Sequence, residues 1–147
     1  MVNLSDFPNR LKELMNERND MKSERLAKEA NISGSSIRSF LRGQSVPNFQ
    51  TAIKLADFFR CSLDYLVGFV EEYQEVVPRP LPPFYAHLRE IMKNAGVTRL
   101  EITQKTAIKD AFFTNWSHGE LPLLITLCTL ANYLEVSLDY LVGRAEY

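Results

Sequence analysis

Seven residues occur twice in this chain without a change. Ser62-Leu63-Asp64-Tyr65-Leu66-Val67-Gly68 returns as Ser137-Leu138-Asp139-Tyr140-Leu141-Val142-Gly143. A looser correspondence lies upstream of each copy. Phe7-Pro8-Asn9-Arg10-Leu11-Lys12-Glu13-Leu14-Met15 aligns with Phe84-Tyr85-Ala86-His87-Leu88-Arg89-Glu90-Ile91-Met92. The offset falls from 77 to 75 between these anchors, so two single-residue deletions separate the copies. One falls near residues 16–22. The other falls between Gly43 and Pro47, because the second copy has Gly119 and Pro122. A repeat of this size is one supersecondary unit used twice. The chain has 147 residues, room for one ordinary domain or two small ones, and the repeat selects two. They are expected at residues 1–70 and 84–147, joined by an acidic and then Pro-rich linker at 71–83.

Each copy reads as five helices. In the first, Ser5 caps a helix from about Asp6 to Arg18, with Leu11, Leu14 and Met15 facing the core. Ser23 is the expected N-cap of a second helix, whose apolar stripe is Leu26, Ala27 and Ala30. Asn31 closes it, and Ile32 plugs the core before the next helix. Ser33 caps a third, with Ile37, Phe40 and Leu41 inside and Gly43 as the stop. A fourth spans about Phe49 to Arg60, and Ser62 caps a short fifth that ends at Gly68. The second copy follows with helices at about Phe84–Asn94, Arg99–Thr106, Asp110–Ser117, Leu123–Leu134 and Leu138–Val142. Thr98-Arg99-Leu100-Glu101 there has the form of a capping box. No stretch alternates with period two for long enough to demand a strand, so the expected fold class is all-α.

The second and third helices of the first copy leave small, polar and basic residues on the outside: Gly34, Ser35, Ser36, Arg38 and Ser39, with Arg42 at the end. Such a surface suits close approach to a major groove. The pattern Leu26-Ala27, Ile32-Ser33, Ile37, Gly43 and Pro47, followed by Thr51-Ala52-Ile53-Lys54-Leu55-Ala56 and the closing Ser-Leu-Asp-Tyr-Leu-Val-Gly, resembles the phage repressor/Cro-type (XRE) helix-turn-helix family over about residues 7–68. The resemblance implies two tandem five-helix, lambda-repressor-like domains in a cytoplasmic transcription regulator, a repressor, acting on double-stranded DNA. It implies that the helix at 34–41 lies in the major groove while the helix before it braces the backbone. Its usual contact positions fall on Ser23, Gly34, Ser35 and Ser39, although the glutamine common at several of them is absent. The expected base contacts are Gly34, Ser35, Ser36, Arg38 and Ser39. The expected backbone contacts are Lys22, Ser23 and Arg42, helped by helix N-terminal amides.

The repeat supplies its own test of whether both copies read DNA. Gly34, Ser35, Ser36 and Ser39 correspond to Asp110, Ala111, Phe112 and Asn115. Arg38 becomes Thr114 and Arg42 becomes His118. In the fourth helix Asn48, Gln50 and Ala52 become Leu123, Ile125 and Leu127. The second copy thus loses charge and gains apolar residues where the first is wet, and contiguous apolar surface marks an interface. Phe112, Leu123, Ile125 and Leu127 are therefore the candidate interface, and homodimerisation is the expected use, since helix-turn-helix proteins commonly bind half-sites roughly 34 Å apart as dimers. The bland reading is that these residues pack within a slightly different domain. A third reading has both copies on DNA.

Composition adds bounds. The apolar fraction is 46% and the charged fraction 24%, as in ordinary globular domains. No apolar run approaches the ~20 residues of a membrane span, and the first residues lack a signal-peptide layout, which sets the cytoplasm as the expected compartment. The net charge of −1 argues against coating DNA non-specifically. The small basic excess lies in residues 1–70, with ten Lys/Arg against eight Asp/Glu. Enzyme chemistry is not expected. There is no phosphate loop and no metal-ligand spacing, and no cofactor is implied. His87 and His118 stand where the first copy has arginine, which suggests surface. Cys61 and Cys128 read as reduced packing residues. The Pro-rich linker reads as a stiff spacer in preference to a strap along a domain surface. A protein-interaction or antitoxin-like module built on the same fold is the alternative to a DNA reader.

Overall fold

Every apolar stripe marked by sequence forms a helix in the computed structural model, which describes residues 3–146. Contacts divide the chain into two units, Asn3–Val77 and residues 78–146. The first holds α1 (Phe7–Glu17), α2 (Ser23–Ala30), α3 (Gly34–Leu41), α4 (Phe49–Phe59) and α5 (Leu63–Leu66). The second holds α6 (Phe84–Ala95), α7 (Arg99–Lys105), α8 (Asp110–Ser117), α9 (Leu124–Leu134) and α10 (Leu138–Val142). No strand occurs among the described residues. The all-α class therefore holds.

In the first unit Phe7, Leu11, Leu26, Ile37, Leu55, Leu63 and Leu66 are buried together. In the second, Leu88, Ile102, Phe113, Leu124, Leu127, Leu138 and Leu141 are buried. Each such side chain contributes roughly 1.5–3 kcal/mol by leaving water. Cys61 and Cys128 are buried and are not joined in a disulfide.

Caps explain most of the boundaries. Ser33, Asn48, Ser62, Thr98 and Ser137 each accept a hydrogen bond from the backbone N–H three residues on. Two expected caps differ. Ser5 accepts nothing from α1, which starts at Phe7 behind Asp6. Ser23 is the first helical residue of α2, and Lys22 holds the cap position with no side-chain bond. The Thr98 capping box is half formed: Thr98 accepts from Glu101 N–H at 3.1 Å, but the Glu101 carboxylate accepts from the Tyr133 hydroxyl.

The surface expectation for His87 is overturned by hydrogen bonding. Arg10 is buried, with its guanidinium donating to the Tyr65 carbonyl and, at 3.0 Å, to that of Val70. His87, its counterpart in the repeat, is half-buried with Nε2 2.7 Å from the Tyr140 carbonyl oxygen. Tyr140 is the counterpart of Tyr65, so one backbone acceptor is served by arginine in one unit and histidine in the other. His118 is exposed as expected.

The linker is a strap at both ends, not a free spacer. The Tyr73 hydroxyl donates to the carbonyls of Phe59 at 3.1 Å and Arg60 at 2.9 Å, and its ring meets Tyr65 edge-on at 5.6 Å. Ser62 N–H donates to Gln74 O, and Val76 N–H to Arg60 O, both at 3.0 Å. Further on, Arg79 donates to the Gly143 carbonyl at 3.1 Å within the second unit.

Candidate nucleic-acid interface

The geometry of α2 and α3 follows from the three residues between them. Asn31 takes the left-handed conformation (φ 57°, ψ 53°), which an asparagine tolerates and which ends a helix. Ile32 N–H returns to Ala27 O at 3.0 Å, closing the turn. Ser33 is extended and its Oγ accepts from Ser36 N–H at 3.3 Å, so α3 starts at Gly34. Lys54, from α4, donates to the Asn31 carbonyl at 3.1 Å. That cation at a helix C-terminus is favourable and was not singled out by sequence, although lysine on the wet side of α4 is the available signal.

The inner face of α3 is Ile37 and Phe40, and Phe40 meets Phe7 edge-on at 5.8 Å. This seating turns Ser35 and Arg38 to solvent and leaves Gly34, Ser36 and Ser39 half-exposed. Ser35 Oγ lies 2.8 Å from Ser33 Oγ, and Ser39 Oγ lies 2.7 Å from Ser45 Oγ. Arg42 is exposed and donates to Gln44 Oε1 at 3.2 Å. Lys22 is exposed and Ser23 half-buried at the head of α2.

Arg38 folds back along its own helix. Its Nη1 is 3.9 Å from Glu24 Oε1, and a Cβ placed on Gly34 would stand 3.2 Å from that same nitrogen. Gly34 therefore makes room for the guanidinium. An exposed, long ion pair of this kind is worth about 0–1 kcal/mol, so the arginine is easily exchanged onto another acceptor.

The corresponding surface of the second unit is already occupied by its own residues. Arg99 donates to Asp110 Oδ1 at 2.6 Å, to the Asp110 carbonyl at 2.9 Å and to Thr114 Oγ1 at 2.8 Å. The hydrogen bond to Asp110 holds the Arg99 pKa above its ordinary value. Phe112 is half-buried, its ring 6.3 Å from Trp116. Leu123 and Ile125 are 66% and 38% exposed, whereas Leu127 is 1% exposed. Leu127 is therefore core and is withdrawn from the candidate interface: α9 turns it inward with Leu124 and Leu130. Leu100, 64% exposed, was missed. It stands two residues before buried Ile102 on a short helix, and that offset is its signal.

Residues 11–66 match the family model described as Helix-turn-helix. The match begins inside α1 and ends at the last residue of α5, so it spans most of the five helices of the first unit. No curated protein matches the chain.

Proposed function

We propose that the protein is a sequence-specific, DNA-binding transcription regulator, a repressor of the phage repressor/Cro type. In this reading α3 enters the major groove, with Ser35, Ser36, Arg38 and Ser39 at base edges and Gly34 allowing the approach. Lys22, Ser23 and Arg42 take backbone phosphates. The second unit is a divergent copy whose Phe112, Leu123 and Ile125 serve self-association. The observation that carries the reading is the outer face of α3, which is small, hydroxylated and cationic while its inner face is locked into the core. Serines make few direct hydrogen bonds to bases, so bridging waters and DNA shape supply much of the discrimination.

The test is selection of random duplex DNA by the full chain, beside Arg38→Ala/Arg42→Ala. A palindromic site with half-sites about one helical turn apart is expected, with its enrichment lost in the double variant. Absence of enrichment, with binding insensitive to salt, overturns the proposal. A second reading, a protein-interaction module, draws on the exposed Leu100, Leu123 and Ile125, and is the one left standing by that outcome.

A further inference from the structure

A cleft opens at the same place in both copies of the repeat. In the first unit it measures about 310 Å³ and is bounded by Lys12, Met15 and Asn16 of α1 and by Met21 and Ser23 at the head of α2. In the second it measures about 230 Å³ and is bounded by Arg89, Met92, Lys93, Val97 and Arg99. The repeat pairs these five positions, while Lys22 and Leu41 line the first cleft alone and Tyr85 and Phe113 the second alone. The backbone fixes the register: Met21 N–H donates to Met15 O at 3.0 Å, and Val97 N–H to Met92 O at 2.9 Å.

The two surfaces of the second unit have diverged to different extents: α8 loses its cation, whereas the cleft keeps Arg89 and Lys93 outside any ion pair with Arg99 tied to Asp110. Along α8 the basic residues are gone and Asp110 has arrived. In the cleft, Lys12 is replaced by Arg89, Asn16 by Lys93 and Ser23 by Arg99, against the loss of Lys22 to Thr98. Arg99 is held by Asp110 and Thr114 and forms a fixed wall. Arg89 has its guanidinium 5.9 Å from the Tyr85 ring centroid, and Lys93 is exposed. No carboxylate lies within ion-pair distance of either among the described residues. Arg89 and Lys93 stand one turn apart on α6 beside a recess with an apolar floor of Met92 and Phe113. The chemistry that fits is a phosphate oxyanion, which neighbouring guanidinium and ammonium groups hold by charge-assisted hydrogen bonds.

We infer that the second unit keeps a phosphate-binding cleft, in which Arg89 and Lys93 grip the DNA backbone without reading sequence. The inference rests on the DNA-binding reading of the first unit. It gives the second unit a part in affinity that its α8 cannot supply.

The experiment measures the salt dependence of full-length protein on the selected duplex between about 50 and 200 mM, for the wild type, Arg89→Ala/Lys93→Ala and Arg89→Lys. Two lost phosphate contacts per protomer, four in the proposed dimer, reduce the steepness of log K against log salt by about 3.6. The enriched sequence stays the same, and Arg89→Lys stays near the wild type. Both residues are exposed, and an unchanged melting temperature verifies the fold. Unchanged slope and affinity in the double variant, with sequence-specific wild-type binding intact, overturns this inference and leaves the reading of α3 standing. No salt-dependent binding by the wild type overturns both. Inorganic phosphate provides the last arm. If it shifts the resonances of Val97 and Phe113 while the double variant keeps the wild-type slope on DNA, the cleft belongs to a free anion and the DNA source is overturned.

Discussion

Gly68 shows why a seven-residue segment is repeated without change. Its φ is +89°, and a Cβ there would stand 2.6 Å from the Cβ of Asp6, at the entrance to α1. Gly143 repeats the arrangement at φ +91°, with Pro82 Cδ 2.4 Å from the same point. In each unit the chain entering the first helix crosses over the glycine that ends the last one, so only glycine fits. Gly68→Ala carries both the left-handed penalty and a clash with a segment fixed to α1. We expect it to destabilise the first unit by about 1–3 kcal/mol, lowering its melting temperature by at least roughly 4 °C. Gly96→Ala is the control. Its φ is +68° but nothing lies within 4 Å, so it meets the conformational term alone and should be the milder of the two in calorimetry. Equal losses would remove the close approach as the cause.

At the scale of elements, the strap at residues 73–76 couples the end of α4 to the protonation of Tyr73. Burial, the largest cause, raises the Tyr73 pKa above its ordinary value of about 10. The folded state therefore holds this proton more tightly than the unfolded chain. The stabilisation is fully present below about pH 10 and is lost as pH rises through the folded-state value. Tyr73→Phe should flatten the fall in stability of the first unit above pH 10 while losing the hydroxyl's bonds to Phe59 and Arg60 at every pH. A thermal-melt series in pH checks it, and parallel curves for variant and wild type would exclude Tyr73 as the source. The strap also marks where sequence stopped being informative. Four prolines between residues 78 and 83 announce stiffness, but the partners of Tyr73 and Arg79 are distant in the chain and leave no periodic trace. Where a boundary rests on a local device it was legible: α8 and α10 begin and end as read, since extended cap residues and glycines determine them. Ser23 misled because a serine one residue late looks like a cap. For the candidate site, the outward face of α3 follows from the spacing of Ile37 and Phe40. The seat of Arg38 over Gly34 does not, because it depends on a side-chain conformation. Leu127 was misplaced because α9 is apolar on nearly all sides, so periodicity could not tell Leu127 from Leu123.

At the scale of the whole molecule, the proposed reading, with one base-reading helix per chain, calls for a second source of affinity. One reading domain engages one half-site, and linking two can raise avidity by about 10²–10⁴ without a new contact. The exposed Leu123 and Ile125 give a means. Leu123 precedes α9 and Ile125 lies in its first turn, both outside the core that Leu124 and Leu127 build. Leu123→Asp/Ile125→Asp should therefore leave helicity and melting intact while converting dimers to monomers in sedimentation. Leu127→Ala should instead cost about 2–5 kcal/mol of stability in the second unit, as core truncations do. On DNA, the aspartate variant should keep the half-site preference of α3 and lose the preference for two correctly spaced half-sites. A dimer that survives the double aspartate substitution would move the interface away from α9, and a monomeric wild type would leave the palindrome without its physical cause.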